Sequence, residues 1–166
     1  MRLFIALRLS NEIISSLKNA IDQLKKQSIS ARPVRLENLH LTLAFIGETD
    51  RTEDIIRIIN QLDIHSFDIR IGTHGNFDRL YWVGLQQNPI LSKLAQDIRD
   101  GLIRDGFNIE KRPFIPHITI ARNVRPYDKI DIDVKPAQMT VRRISLMKSE
   151  QSDGRVIYTE VYGRDI

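Results

Sequence analysis

His40-Leu41-Thr42-Leu43 occurs a second time as His117-Ile118-Thr119-Ile120, seventy-seven residues further on. Two of the chain's four His carry Thr two places later, a coincidence expected in only about one chain in 100 of this composition. In an extended strand, residues i and i+2 project from one face, roughly 7 Å apart. Each His therefore stands beside its Thr, while Leu41, Leu43, Ile118 and Ile120 point the other way, into a core. Each copy thus offers an imidazole and a hydroxyl on a face not needed for packing, a pairing suited to a phosphate ester.

The flanking sequence repeats as well. Leu3 to Arg8 is rich in β formers, and Ser10 with Glu12 opens a helix whose Ile13, Ile14, Leu17, Ala20, Ile21 and Leu24 recur at helical spacing. Arg32-Pro33-Val34-Arg35 is an extended approach to the strand His40 to Ile46, which Gly47 ends. Asp50 is placed to cap a second helix with an Ile55 to Leu62 stripe, before a strand from Phe67 to Ile71. In the second half, a strand at Tyr81 to Leu85, a helix at Ile90 to Ile103 and a strand at His117 to Ala121 follow in the same order. Phe4 stands as far before His40 as Tyr81 does before His117. The pattern predicts an internal duplication, with two copies turning their His faces toward one groove about a pseudo-twofold axis. Gln138 to Lys148 and Val156 to Tyr162 add two strands joined through the turn Ser152-Asp153-Gly154. No linker divides the chain, so residues 1–166 are expected to form a single α+β domain.

Composition narrows the chemistry. The chain has no cysteine, which excludes thiolate metal sites, a Cys nucleophile and a disulfide framework, and fits a cytoplasmic protein. At 166 residues it is long enough to bury about 70% of its unfolded surface without a staple. Its apolar start, Met1 to Leu7, is far shorter than the roughly 20 residues of a membrane span. Lys and Arg number 25 against 21 Asp and Glu, a net charge of +4 that suits an anionic partner such as RNA.

Two imidazoles with ordinary pKa values near 6.5 are suited to act as acid and base at neutral pH. One can take a proton from an attacking water while the other protonates the departing ester oxygen. Thr42 and Thr119 can donate hydrogen bonds to the non-bridging oxygens. Arg122 ends the second copy with a guanidinium fitted to phosphate, yet strand parity from His117 puts it on the opposite face unless the strand twists or ends. Phe4, Tyr81 and Trp82 are candidates for a base-stacking platform. His65 and His74 fall in expected loops without metal-ligand spacing, so neither a metal nor a cofactor is expected. Gly72, Gly75 and Gly84 form no phosphate-binding pattern and read as turn residues and a strand irregularity.

Arg32-Pro33-Val34 with Glu37-Asn38-Leu39-His40-Leu41-Thr42-Leu43-Ala44-Phe45-Ile46-Gly47, and Arg112 to Arg122 around the second His, closely resemble the RNA 2′,3′-cyclic phosphodiesterases, also called 2′-5′ RNA ligases. That family belongs to the two-histidine phosphoesterase superfamily, and the resemblance covers nearly the whole chain, departing at Met147, where relatives often carry an aromatic residue. It implies a bilobal α+β fold with two antiparallel sheets around a central groove. It also implies that His40 is the proton donor and His117 the acceptor, with Thr42, Thr119 and Arg122 on the phosphate. The implied substrate is RNA with a 2′,3′-cyclic phosphate end, tRNA fragments among the candidates, hydrolysed by a metal-independent monomer that can run in reverse as a weak ligase. Two other classes compete: an enzyme for small cyclic phosphates of a nucleotide or ADP-ribose, and an RNA-binding module that only retains the groove.

Overall fold

The computed structural model describes residues 1–166. The elements are β1 (Arg2–Arg8), α1 (Asn11–Lys26), β2 (Ser28–Pro33), β3 (His40–Glu48), α2 (Thr52–Gln61), β4 (Phe67–Phe77), β5 (Leu80–Leu85), α3 (Pro89–Arg104), β6 (His117–Pro126), β7 (Ala137–Val141), β8 (Arg143–Ser152) and β9 (Arg155–Asp165). A single 3₁₀ turn, Leu36–Asn38, leads into β3. Two antiparallel sheets result, one ordered β3-β1-β8-β9 and the other β2-β6-β5-β4-β7.

The duplication is visible in the way each sheet starts. Each His strand pairs with the first strand of its own half, β3 with β1 and β6 with β5. The halves then exchange the rest. The C-terminal hairpin β8–β9 completes the first sheet, while β2, β4 and β7 complete the second. The helices cross over too: α1, from the first half, packs on β2, β6 and β7, and α3, from the second half, packs on β3. One continuous apolar core therefore joins both lobes.

Local chemistry explains the helices. The hydroxyl of Ser10 accepts from the Ile13 amide at 3.3 Å, so it caps α1 as the sequence suggests. Ile13, Leu17, Ala20, Ile21 and Leu24 are the buried face, each Ile or Leu stabilising the fold by about 1.5–3 kcal/mol. Asn88 caps α3 through Ile90 and Leu91, with Pro89 in the first turn, where its missing N–H costs nothing. The second helix differs from expectation, because Asp50 does not cap it. Arg51 takes that place, and its own amide is bound by Thr49 Oγ1 at 3.1 Å. Asp54 instead ties the first turn of α2 to Arg51 and Arg57, both at 2.8 Å, and Arg57 reaches Asp105 at the end of α3.

Four strand assignments also change, one being the expected Gln138 to Lys148 strand, which divides into β7 and β8 of different sheets. Arg32-Pro33 is not merely an approach but the end of β2, an edge strand beside β6 that can spare the amide Pro lacks. β3 runs through Gly47, whose φ of +89° is a conformation glycine adopts without strain, to Glu48. β4 continues to Phe77, which places His74 on a strand. There its Nε2 accepts from the Ile132 amide at 3.4 Å and pins the chain before β7. Gly72, Gly75 and Gly84 all lie inside strands; at Gly75 a Cβ would run into the Trp82 ring, so glycine lets the indole lie against β4.

Candidate active site

Both His strands carry the same irregularity at the same place. Along β3, Ala44 pairs with Ile5 and Thr42 with Ala6, so Leu43 has no partner. Along β6, Ala121 pairs with Tyr81 and Thr119 with Trp82, so Ile120 has none. Each strand therefore holds a β-bulge, and two successive residues, Leu43-Ala44 and Ile120-Ala121, are buried together. The extra residue reverses strand parity. Beyond it, Phe45 and Arg122 emerge on the same face as the His and Thr before them, and both line the groove. The bulge, and not a twist or a strand end, resolves the parity of Arg122.

The groove has a volume of about 830 Å³ and is lined by His40, Thr42, His117, Thr119, Arg122 and Phe4 among others. These six sequence candidates are thus brought together, whereas Tyr81 and Trp82 are not among the lining residues. Around each His the backbone does the same work. His40 Nδ1–H donates to the Asn38 carbonyl at 2.7 Å, and His117 Nδ1–H donates to the Ile115 carbonyl at 2.7 Å. A carbonyl can only accept, so Nδ1 keeps its hydrogen in both rings. Nε2 is left as the working nitrogen in each. For His40 it lies 3.0 Å from Thr42 Oγ1, which donates to the neutral ring and accepts from the charged one.

Aromatic walls complete the two half-sites. The His40 ring lies 5.0 Å from Phe4 and 5.1 Å from Tyr158, and these two rings are 5.1 Å apart. His117 is flanked by Phe77 at 5.2 Å, edge to face, and Trp82 at 6.2 Å. Phe4 is only 3% exposed and leans on Met147, so it braces His40 and presents no open face as the stacking platform first envisaged. Tyr81 packs on the core instead of the groove. The sequence reading gave no site role to Tyr158, Phe77, Asn38 or Ile115. Asn38 and Ile115 act through backbone carbonyls two residues before each His, which side-chain patterns do not reveal.

Burial holds the His40 pKa below its ordinary value, opposed by the hydrogen bond to Asn38 and assisted by the positive charges of Arg122 and His117. Arg122 and His40 line the same groove. Lys148 is engaged by Glu150 at 2.9 Å. No three His, Asp or Glu side chains converge as a metal site, and no helix is long and apolar enough to cross a membrane. A cyclic phosphate seated between the two Nε2 atoms would meet two hydroxyls, a guanidinium and an acid–base pair.

Comparison with known proteins agrees with this geometry. The family model described as the 2′-5′ RNA ligase superfamily matches residues 14–153. An RNA 2′,3′-cyclic phosphodiesterase of Thermotoga maritima is 33% identical over 178 residues, covering 98% of this chain and 94% of that protein. One from Methanocaldococcus jannaschii is 31% identical, covering 95% of this chain and 96% of its own. Among solved structures, E. coli LigT complexed with 3′-AMP superposes with a TM-score of 0.86 at 29% identity, over 99% of this chain and 97% of that one. With the paired motifs, the exchanged lobes and these similarities together, the chain belongs to the 2′-5′ RNA ligase superfamily.

Proposed function

We propose that this chain, a phosphodiesterase of the 2′-5′ RNA ligase superfamily, hydrolyses RNA 2′,3′-cyclic phosphate ends to 2′-phosphate ends. The observation that carries the reading is the pair of bulged His strands, which turn His40, Thr42, His117, Thr119 and Arg122 into one groove. Water attacks phosphorus in line with the departing 3′ oxygen. His117 Nε2 accepts the proton of the water, and His40 Nε2–H supplies one to O3′ as the P–O3′ bond breaks. Thr42 and Thr119 donate to the non-bridging oxygens, and Arg122 balances the phosphate charge as it grows in the transition state. The bound anion also offsets the Arg122 charge, which adds to burial in lowering the His40 pKa, so substrate binding favours the protonated donor. Phe4 and Tyr158 serve by holding the His40 ring.

The chemistry needs no metal, and one chain carries both half-sites in a single domain, so a monomer suffices. Any RNA with a cyclic phosphate end qualifies as substrate, tRNA fragments included. The test is incubation of the purified protein with an oligonucleotide bearing a 2′,3′-cyclic phosphate. A 2′-phosphate end is the expected product. A 3′-phosphate end would mean that the other P–O bond breaks, and an unreacted oligonucleotide beside rapid hydrolysis of a small nucleoside cyclic phosphate would move the substrate to that class.

A further inference from the structure

We propose that the side chain of Asn38 is a positioning residue for the proton donor, a tie that fixes the two supports of the His40 ring relative to each other. The inference rests on the two-histidine reading above, in which His40 protonates O3′. Asn38 Nδ2–H donates to the Val156 carbonyl at 3.0 Å. The Asn38 carbonyl accepts from His40 Nδ1–H at 2.7 Å, and its backbone amide donates to the Arg35 carbonyl at 2.9 Å. Val156 stands two residues before Tyr158, whose ring meets the imidazole edge to face at 5.1 Å. One carboxamide thus joins the carbonyl that holds the ring's nitrogen to the strand that holds its flank.

The tie lies where the sheet supplies none. β3 and β9 are opposite edges of the four-stranded sheet, so no ladder connects them directly. The pairing of β8 with β1 ends where Ser149 meets Arg2. Beyond it the hairpin pairs with itself, Glu150 with Ile157, Gln151 with Val156 and Ser152 with Arg155. Asn38 and Val156 both line the groove. The second half-site is built differently. Ile115 holds the same place before His117, and its side chain has no donor, so it offers the ring only its carbonyl. That asymmetry follows the reaction. An attacking water can shift to meet its base, whereas O3′ is fixed within the cyclic ester, so the acid needs the stricter aim.

The test uses the purified full chain with an oligonucleotide ending in a 2′,3′-cyclic phosphate and with its analogue carrying sulfur at the 3′ bridging position, which departs with little need of a proton. On the oxygen ester, Asn38→Ala should lower kcat by about tenfold to a hundredfold and leave KM within about twofold of wild type, as a misaimed donor predicts. On the sulfur ester its rate should stay within about threefold of wild type, since the acid matters little there. His40→Ala, measured beside it, should show the same pattern more strongly. The oxygen-to-sulfur rate ratio within one preparation is independent of the folded fraction. A merely structural role for Asn38 lowers both rates together and leaves that ratio unchanged. An unchanged ratio in Asn38→Ala beside a lowered ratio in His40→Ala would overturn the tie and leave the mechanism standing. An unchanged ratio in His40→Ala, or no turnover by the wild type, would overturn the underlying reading and the tie with it.

Discussion

At the level of single residues, the site works by leaving Nε2 of each His as its only variable proton position. The Asn38 and Ile115 carbonyls fix Nδ1–H, so what remains to be set is the charge on each ring. Burial lowers the His40 pKa, and the charges of Arg122 and His117 add to the shift, against the hydrogen bond to Asn38. An NMR titration of the His40 ring should have its midpoint below the ordinary value near 6.5. Arg122→Gln should raise that midpoint, and so should inorganic phosphate; a midpoint at or above the ordinary value in the free protein would contradict the account. The sign for stability follows. With the folded-state pKa depressed, the unfolded chain binds more protons, so stability falls as pH drops from about 6.5 through the lowered value. In the proposed mechanism the hydroxyls carry less of the catalysis than the imidazoles. His40→Ala and His117→Ala should each cost about 10²–10⁴ in turnover. Thr42→Ala and Thr119→Ala remove one charged hydrogen bond each, about 1.5–3 kcal/mol, or roughly 10- to 150-fold. Steady-state kinetics that find a Thr variant as inactive as the His variants would assign the hydroxyls a role in proton transfer.

At the level of elements, the two bulges decide which side chains line the groove. Alternation of apolar and polar residues made the strands around His40 and His117 legible, along with α1 and its Ser10 cap. It could not show that Leu43-Ala44 and Ile120-Ala121 would be buried as successive pairs, because a bulge is fixed by pairing with β1 and β5 and not by the strand's own residues. For the same reason Arg122 looked misplaced and Phe45 drew no attention. The sequence ends β4 at Ile71, because Gly72 and Gly75 read as turn residues, and so gives no sign of the place of Phe77 beside His117. Gly75 is in fact the floor under Trp82. Gly75→Ala should overpack that contact and cost about 1–3 kcal/mol, lowering Tm by about 2–4 °C per kcal/mol. Trp82 is the only tryptophan, so its emission reports the displacement directly. Unchanged Tm and emission would mean that the ring does not lie close on β4.

Across the whole molecule, duplication and exchange make one unit from two halves. The equal spacing of strand, helix and His strand was readable, but the crossing of α1 to the second sheet and α3 to the first was not, since an amphipathic stripe does not say which sheet it covers. A fragment of residues 1–77 would hold β1 and β3 without β8, β9 or α3, and α1 with β2 but without β6 and β7. It should show no cooperative thermal transition by circular dichroism; a sharp transition would mean that the first half folds alone and that the exchange is not required.

The two His strands bring one imidazole each to the groove, and in the proposed mechanism the two do opposite work. A pH profile cannot assign those roles, because it reports values that belong to the coupled pair. A substrate with sulfur in place of the 3′ bridging oxygen can. Alkoxide departure needs a proton, whereas a thiolate, with a conjugate acid of pKa near 8.5, leaves with little help. On the 2′,3′-cyclic 3′-phosphorothiolate, His40→Ala should recover much of its lost rate, because it lacks only the acid, while His117→Ala should stay slow for want of a base. Recovery in His117→Ala but not in His40→Ala would reverse the roles, and recovery in neither would contradict the two-histidine mechanism.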